Sequence, residues 1–165
     1  MAALVFTGLW NHKLANAFKD YRIMNAQTAL TPDMYERLTL LQQYHNVAIV
    51  GVSDNQYRPS HFVAIYLQAE GYNIIPINPR LAGKTLLGKR VYASLTEAHE
   101  AGEQIDIVDV FRKPGDTLVV AEEAIKIGAK VVWLQLGIRN DETGRRVCEA
   151  GLTFIQDHCI KMEHA

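Results

Sequence analysis

From about residue 46 onward, short runs of apolar residues alternate with longer stretches in which apolar positions recur at helical spacing. The runs are rich in β-branched residues and cover residues 47–52, 73–78, 105–111, 130–136 and 152–155. Strands that alternate with helices are typical of βαβ units, and nearly continuous apolarity indicates burial on both faces. The pattern therefore predicts an α/β fold: a doubly wound, mainly parallel sheet of about five strands with helices on both faces.

Three helices are predicted between these strands, and a glycine follows each of them. They cover residues 60–70, 116–127 and 141–150, and the glycines are Gly71, Gly128 and Gly151. Glycine adopts the left-handed conformation that ends a helix without a steric penalty. A further helix is predicted before the first strand, and it begins near Pro32 and Asp33. Its apolar stripe comprises Met34, Leu38 and Leu41.

The segment 79–95 interrupts this alternation and is interpreted as a long loop that ends in a short edge strand around Val91 and Tyr92. Within the second predicted strand, Pro76 has no N–H group that it can donate to a neighbouring strand. We therefore expect Pro76 at the end of its strand or on an unpaired edge of the sheet.

The chain is interpreted as an N-terminal extension, residues 1–30, followed by one domain, residues 31–165. The extension lacks a strand pattern and opens with several large apolar side chains: Leu4, Val5, Phe6, Leu9 and Trp10. These side chains are equally compatible with docking to a partner, or to a second copy of the chain, and with packing against their own domain. The sequence leaves these alternatives open.

Composition narrows the class of protein. The chain has 17 Lys and Arg against 18 Asp and Glu, so it lacks the basic field that holds nucleic acid. Its two cysteines, Cys148 and Cys159, are too few for a disulfide framework and form no zinc-binding pattern. Because no basic secretion signal or membrane span is evident, we expect a cytoplasmic protein without nucleic-acid or membrane partners.

The loop after the first strand is the strongest candidate for a binding site. It comprises Gly51, Val52, Ser53, Asp54, Asn55, Gln56, Tyr57, Arg58, Pro59 and Ser60. The loop leads directly into a helix, for which Ser60 is the expected N-cap. Unpaired N–H groups at a helix start attract an anion, and the Arg58 guanidinium adds a full positive charge. The loop therefore predicts a phosphate site, with a strand-to-helix turn that binds nothing as the alternative.

Further candidate contacts follow the later strands, because ligands of open α/β sheets bind at the carboxyl ends of the strands. They are Asn78, Pro79 and Arg80 after the second strand, Phe111, Arg112 and Lys113 after the third, and Gln135 after the fourth. The cations can reach a phosphate, and the aromatic ring can cover an adenine. An ordinary solvated turn is the alternative at each of these positions.

These motifs, taken together, resemble one known family. Those that carry the resemblance include Gly51-Val52-Ser53, Asn78-Pro79, Val108-Asp109-Val110-Phe111-Arg112, Trp133-Leu134-Gln135 and Asp157-His158-Cys159. Over about residues 35–165, the chain resembles single-domain CoA-binding proteins of the Rossmann-like type. That family is related to the CoA-binding domain of succinyl-CoA synthetase α subunits.

The resemblance implies a set of ligand contacts. Residues 53–56 would form the phosphate loop, and residues 78–82 would meet the nucleotide part of coenzyme A. The segment Val110, Phe111, Arg112 and Lys113 would border the adenosine and the pantetheine, and Leu134, Gln135 and Leu136 would lie near the pantetheine arm. A mixed disulfide between Cys159 and the thiol of coenzyme A is a further hypothesis.

The resemblance implies binding of coenzyme A, free or acylated, without turnover. The related synthetases need a second domain with a phosphorylated histidine, so we do not expect His158 or His164 to take that role. Next to Cys159, His158 is expected to have a structural or ligand-lining role, because no partner base is evident.

Two other functions stay open. An NAD(P)-dependent oxidoreductase would use the same fold class, but only Gly51 of the GxGxxG motif is present and Asn78 stands where an acidic residue usually holds the ribose. The P-loop motif of nucleotide triphosphatases is also absent. An interaction subunit of a larger acyl-CoA enzyme, docked through residues 1–30, is the other possibility.

Overall fold

The central sheet of this computed structural model, which describes residues 30–165, contains five parallel strands. They are β1 (Asn46–Val50), β2 (Asn73–Ile77), β5 (Ile107–Val110), β6 (Val131–Leu134) and β7 (Thr153–Ile155), in the spatial order β2-β1-β5-β6-β7. All five strands predicted from the apolar runs are confirmed. Apart from Leu30, the N-terminal extension and its apolar side chains lie outside the described residues.

The helices cover both faces of the sheet, as expected for a doubly wound fold. They are α1 (Met34–Gln43), α2 (Pro59–Ala69), α3 (Leu95–Glu100), α4 (Thr117–Lys126), α5 (Asp141–Glu149) and α6 (Ile160–His164). Helices α1, α2 and α6 pack with one another on one face, and α3, α4 and α5 pack on the other. Because both faces are covered, central strand residues such as Val47, Ala48 and Ile49 are fully buried.

The three predicted helix ends are confirmed. Helices α2, α4 and α5 each stop one or two residues before a glycine with positive φ: Gly71, Gly128 and Gly151. The sequence pattern did not reveal the short helices α3 and α6, since a single turn or two gives too few residues for a clear period.

Helix α1 begins where the sequence predicts, because the Asp33 carboxylate accepts a hydrogen bond from the Glu36 N–H at 2.9 Å. The predicted apolar stripe is wrong at Met34, which is 66% exposed, whereas Leu41 is buried. The position one turn before Leu41 is taken by Arg37. Its guanidinium donates to Glu163 on α6 at 2.9 Å and to the Pro32 carbonyl at 2.6 Å. The helix therefore buries the hydrogen-bonded Arg37 side chain and leaves Met34 exposed.

The segment after β2 differs from its prediction. Two short antiparallel strands, β3 (Thr85–Leu86) and β4 (Lys89–Arg90), form a hairpin whose turn residues Leu87 and Gly88 both have positive φ. The edge strand predicted around Val91 and Tyr92 is therefore wrong: only an isolated bridge joins Tyr92 to Ile77. A polar hairpin of this length gives no apolar run that a sequence pattern could detect.

Pro76 lies on the edge strand β2, as predicted. Its carbonyl accepts a hydrogen bond from the Tyr92 N–H on the outer side of that strand. The N and C=O of one strand residue point in the same direction, so the missing N–H of Pro76 also faces outward and no ladder bond with β1 is lost.

Chain order reverses between β1 and β5. After β1 the chain moves outward to β2, and it returns to the other side of β1 as β5. Loops that leave the carboxyl ends of β1 and β5 therefore diverge, and a crevice opens between them. Among residues 30–165, no helix combines the length and apolarity that crossing a bilayer requires.

Candidate functional site

Gly51 stands at the point where the loops after β1 and β5 come closest. Its φ is +86°, and a Cβ at this position would lie 2.7 Å from the Phe111 carbonyl oxygen and 3.0 Å from Cδ of Arg112. Its N–H donates to the Ile77 carbonyl at 2.9 Å, which ties the loop to the end of β2. Only glycine satisfies both the backbone angle and the contact, so this residue sets the spacing of the crevice.

The phosphate loop predicted at residues 51–60 is held in one shape by its own side chains. Oγ of Ser53 accepts from the Asn55 N–H at 3.1 Å, and Oδ1 of Asn55 accepts from the Tyr57 N–H at 2.9 Å. These local bonds are typical of ST and Asx turns. They fix the loop without a ligand, while Asp54, Asn55, Gln56 and Arg58 stay exposed.

The sequence predicts Ser60 as the N-cap of α2, and this prediction is wrong. The N-cap is Arg58, and Pro59 occupies the first helical position, where its missing N–H costs nothing. Oγ of Ser60 instead accepts a hydrogen bond from the Ser53 N–H at 3.1 Å. The serine therefore anchors the loop to the helix.

His61 makes a second anchor, which the sequence did not reveal. Its Nδ1 lies 2.8 Å from the Ser53 carbonyl oxygen, and the residue is 8% exposed. Because a carbonyl only accepts hydrogen bonds, Nδ1 carries the hydrogen in this contact. Ser60 and His61 thus hold the two backbone polar groups of Ser53.

Asn78 joins the loops after β1 and β2. Its Nδ2 donates to the Val52 carbonyl at 2.7 Å, and its Oδ1 accepts from the Arg80 N–H at 2.9 Å. The amide therefore uses both its nitrogen and its oxygen to position the two loops. Pro79 and Arg80, which follow it, are exposed.

A cleft of about 310 Å³ opens at the carboxyl edge beside this junction, between the start of α3 and the start of α4. It is lined by Val50, Gly51, Ile77, Pro79, Ala93, Ser94, Leu95, Arg112, Asp116, Val119, Val120 and Glu123. Both acids of the lining are engaged. Oε2 of Glu123 accepts from the Leu95 N–H at 3.0 Å, and Asp116 pairs with Arg112 at 3.8 Å in a partly exposed contact. The walls are otherwise mainly apolar.

The predicted contacts divide into four groups. Three of them line the cleft: Gly51, Pro79 and Arg112. Five have side chains that are buried in the protein: Val52, Ser60, Val110, Leu134 and Gln135. Eight are exposed at the same edge: Asp54, Asn55, Gln56, Arg58, Pro59, Arg80, Lys113 and Leu136. The remaining three, Ser53, Asn78 and Phe111, are half-buried, and Phe111 packs against the core.

Nine lining residues are not among the predicted contacts. They are Val50, Ile77, Ala93, Ser94, Leu95, Asp116, Val119, Val120 and Glu123. The first turn of α4 could have been predicted as part of the lining, because the helix that follows β5 and Lys113 must begin at the carboxyl edge of the sheet. For the segment 93–95, the folded position depends on the hairpin before it.

Gln135 and Asp109 form a buried pair on β5 and the end of β6. Nε2 of Gln135 donates to Oδ1 of Asp109 at 2.7 Å. Burial raises the pKa of Asp109 to about 8, against a smaller lowering by the Gln135 bond. Asp109 is therefore mostly protonated at pH 7. Its other oxygen, Oδ2, has no hydrogen-bond partner among the described residues.

The loops after β6 and β7 bond to each other. Oδ1 of Asp157 accepts from the Gly137 N–H at 2.7 Å, and Oδ2 lies 3.3 Å from Arg139. The Gly137 bond, and next the Arg139 guanidinium, hold the pKa of Asp157 below its usual value. Oε1 of Gln156 accepts from the Asn140 N–H at 2.9 Å. This part of the edge is closed by its own polar groups.

His158 and Cys159 lie away from the cleft lining. Nδ1 of His158 is 3.2 Å from Glu163 on α6, and its carbonyl accepts from Nε1 of Trp133 at 2.7 Å. Cys159 is half-buried against the core cluster, and Trp133 is fully buried. Across residues 30–165, no group of three or more His, Cys, Asp or Glu side chains has an arrangement that could hold a metal ion.

Comparison with known proteins places these features in context. Residues 45–165 match the model of a family described as a CoA binding domain. The uncharacterized protein YneT of Bacillus subtilis is 40% identical over 134 residues, which is 81% of this chain and 96% of YneT.

Two solved structures have the same fold over 81% of this chain. A Thermus thermophilus protein, cell-free ID.343, has a TM-score of 0.75 and 35% identity, covering 81% of this chain and 97% of its own. A hypothetical protein from Pyrococcus horikoshii has a TM-score of 0.75 and 34% identity, covering 81% of this chain and 90% of its own. The match covers nearly the whole length of both proteins, so the similarity extends over an entire domain.

Proposed function

The chain belongs to the CoA binding domain family, and on this premise we propose that it binds coenzyme A, free or acylated, at the carboxyl edge of its sheet. The observation that carries the proposal is the cleft at the reversal of chain order. The cleft borders Gly51, the first residue of the pre-shaped loop that leads into α2, and the Arg112 guanidinium, and its walls are mainly apolar. Coenzyme A has the matching chemistry, since phosphates join an aromatic nucleoside to a long, weakly polar arm.

The phosphates are assigned to the loop 51–60. Its backbone is fixed by Ser60, His61 and Asn78, so little conformational entropy is lost when an anion binds. The start of α2 adds a partial positive charge, and Arg58 and Arg112 flank it with full charges. This set is a better match for phosphate than for an uncharged ligand.

The cleft is assigned to an apolar or aromatic part of the ligand. A volume of about 310 Å³ is at the lower end of small-molecule sites, so it holds one part of coenzyme A and leaves the rest along the open edge. Val119 is 67% exposed and Leu136 is 65% exposed at this edge, and ligand would cover such side chains favourably. Phe111 and Arg112 border the junction between the cleft and the open edge.

A binding role, as a sensor or carrier, is assigned without a reaction. The acids that line the cleft are Asp116 and Glu123, and each is already bonded, to Arg112 and to the start of α3. A general acid or base must reach a proton of the substrate, and in this arrangement both carboxylates face protein partners. Besides the Arg112 guanidinium, the remaining lining is apolar, backbone, or a hydroxyl.

Isothermal titration of the purified protein with coenzyme A tests the proposal, with NAD and NADP as matched nucleotide controls. We expect saturable binding of coenzyme A, with NAD and NADP at least tenfold weaker. A ligand at 100 times its dissociation constant adds ~2.7 kcal/mol to stability, so thermal unfolding gives an independent measurement. Preferred binding of NADP would support an oxidoreductase instead, and no saturable binding at millimolar coenzyme A would contradict the proposal.

A further inference from the structure

Asp109 is a carboxyl group that the proposed ligand contacts leave unused. It is fully buried in β5, the central strand of the sheet, in register with Ile49 on β1 and Trp133 on β6. Paired residues in neighbouring strands share a face, so Asp109 lies on the face covered by α1, α2 and α6. A buried carboxyl in an apolar core is rare unless something specific requires it.

The position of Asp109 relates it to the binding edge. Asp109 is two positions before Phe111, whose carbonyl is the close neighbour of Gly51. At ~3.3 Å per residue, Asp109 lies about 7 Å below the rim, directly under the reversal of chain order. Its hydrogen-bond partner Gln135 comes from the exit of β6. Asp109 thus stands beneath the point where an anionic ligand would sit.

No charged group is bonded to Asp109 among the described residues. On this face, helices α1, α2 and α6 carry the titratable side chains Tyr35, Glu36, Arg37, His61, Tyr66, Lys161, Glu163 and His164, and the segments that flank them carry Asp33, Tyr44, His45, Arg58, Glu70, Tyr72, Asp157, His158 and Cys159. Several of them have other partners: His61 bonds to Ser53, Arg37 and His158 to Glu163, and Tyr66 to His164. Within residues 30–165, the Oδ2 atom of Asp109 has no hydrogen-bond partner. A negative charge there would therefore be uncompensated.

We propose that Asp109 links ligand affinity to its own protonation: the neutral acid permits an anionic ligand at the rim, and the carboxylate opposes it. This inference rests on the proposed function, and it adds a control of that site by pH. Ionisation would place a negative charge beneath the rim. For two unit charges ~10 Å apart at an effective dielectric constant of ~20, the repulsion corresponds to roughly tenfold weaker binding. Salt screens such a buried charge less than a surface charge.

The first test measures coenzyme A affinity by calorimetry from pH 7 to pH 9.5 in the wild-type protein and in Asp109→Asn. Asparagine keeps the acceptor for Gln135 and mimics the neutral acid. We expect wild-type affinity to fall about tenfold relative to Asp109→Asn across this range, because only the wild type gains the carboxylate charge. The ligand's own ionisation affects both proteins equally and cancels in the comparison. Asp106→Asn is the matched control, since Asp106 is a buried acid at the opposite end of the same segment. It should follow the wild-type profile.

The second test needs no variant. Linkage is reciprocal, so a tenfold effect of protonation on affinity requires that coenzyme A raise the pKa of Asp109 by about one unit. Carbon NMR of protein with labelled aspartate carboxyls, titrated with and without coenzyme A, measures this shift, and the Asp106 resonance should not move.

The outcomes separate the two proposals. Parallel pH profiles in wild type and Asp109→Asn, or an Asp109 titration that ligand does not move, would overturn the linkage while binding at pH 7 stands. If wild type fails to bind coenzyme A at pH 7, both the proposed function and the linkage are wrong. If Asp109→Asn does not fold, the NMR titration alone decides.

Discussion

The two halves of the carboxyl edge differ although one parallel sheet builds both. The half to which we assign ligand binding, called the binding half, consists of the loops after β1, β2 and β5, and the closed half consists of the loops after β6 and β7. In the binding half, polar side chains such as Asn78 bond to backbone and leave Arg58 and Arg112 at the surface. In the closed half, Gly137 and Asn140 bond across to the loop after β7.

Both pairs of neighbouring strands are followed by helices on opposite faces: β1 and β5 by α2 and α4, and β6 and β7 by α5 and α6. After β1 and β5, the exits diverge at the reversal of chain order. After β6 and β7, Gly137 and Asn140 bond to the loop after β7 and close the space between the exits. The two halves therefore differ in the bonds between their loops more than in the number of polar residues.

The largest expected effect concerns Asp109, below the boundary between the halves. Its pKa is raised in the folded protein, so the folded state holds a proton that the unfolded chain releases above pH ~4. Stability from this group is therefore greatest at low pH and is lost as pH rises toward about 8. Between pH 5 and pH 8, we expect the wild type to lose roughly 4 kcal/mol relative to Asp109→Asn.

Urea unfolding of both proteins at several pH values measures this difference, and other titrating groups cancel in the comparison. A stability difference that stays constant with pH would show that Asp109 ionises normally in the folded state. In that case the boundary between the halves would hold an ordinary carboxylate.

Glycine substitutions compare the halves directly. Gly51→Ala and Gly137→Ala both force alanine into positive φ, at +86° and +79°. Only at Gly51 does the added Cβ meet backbone, so we expect a loss of about 3 kcal/mol there and about 1 kcal/mol at Gly137. Urea unfolding gives both values. Equal losses would mean that the contact between the β1 and β5 exits relaxes easily.

Two arginines test whether the cations of the halves differ in function. Arg112→Gln should weaken coenzyme A binding about tenfold, because it removes a charge at the cleft. Arg139→Gln removes an exposed cation that pairs with Asp157, and we expect unchanged affinity. Calorimetry at one salt concentration measures both. Equal effects would indicate general attraction of an anion and no localised site.

The smallest expected effect comes from the two asparagines that position loops. Asn78→Ala frees the Val52 carbonyl, and Asn140→Ala removes the cap of α5. Both should cost about 1 kcal/mol of stability. Only Asn78→Ala should also weaken coenzyme A binding, by about threefold, because it loosens the phosphate loop. A loss of coenzyme A affinity in Asn140→Ala would show that the closed half also contributes to the ligand site.

Residues near the reversal show how far sequence reasoning reaches. The loop at Gly51 and the cation at Arg112 could be predicted, because glycine and charge at a strand end have local causes. The roles of Ser60, His61 and Asn78 as loop anchors could not, since each bond depends on how α2 and β2 are placed relative to the loop. Gln135 was noticed as a polar residue in an apolar run, but its partner Asp109 lies 26 positions away.

The sequence by itself determined the five strands, the start of α1, the three helices that end before a glycine, and the edge of the sheet at which ligands should bind. These features follow from periodicity and backbone preference, which act over a few residues. Tertiary structure alone decided that β5 returns beside β1, that the cleft opens between α3 and α4, and that one half of the edge closes on itself. Those outcomes depend on contacts between segments distant in the chain, where packing and the pairing of buried polar groups select the arrangement.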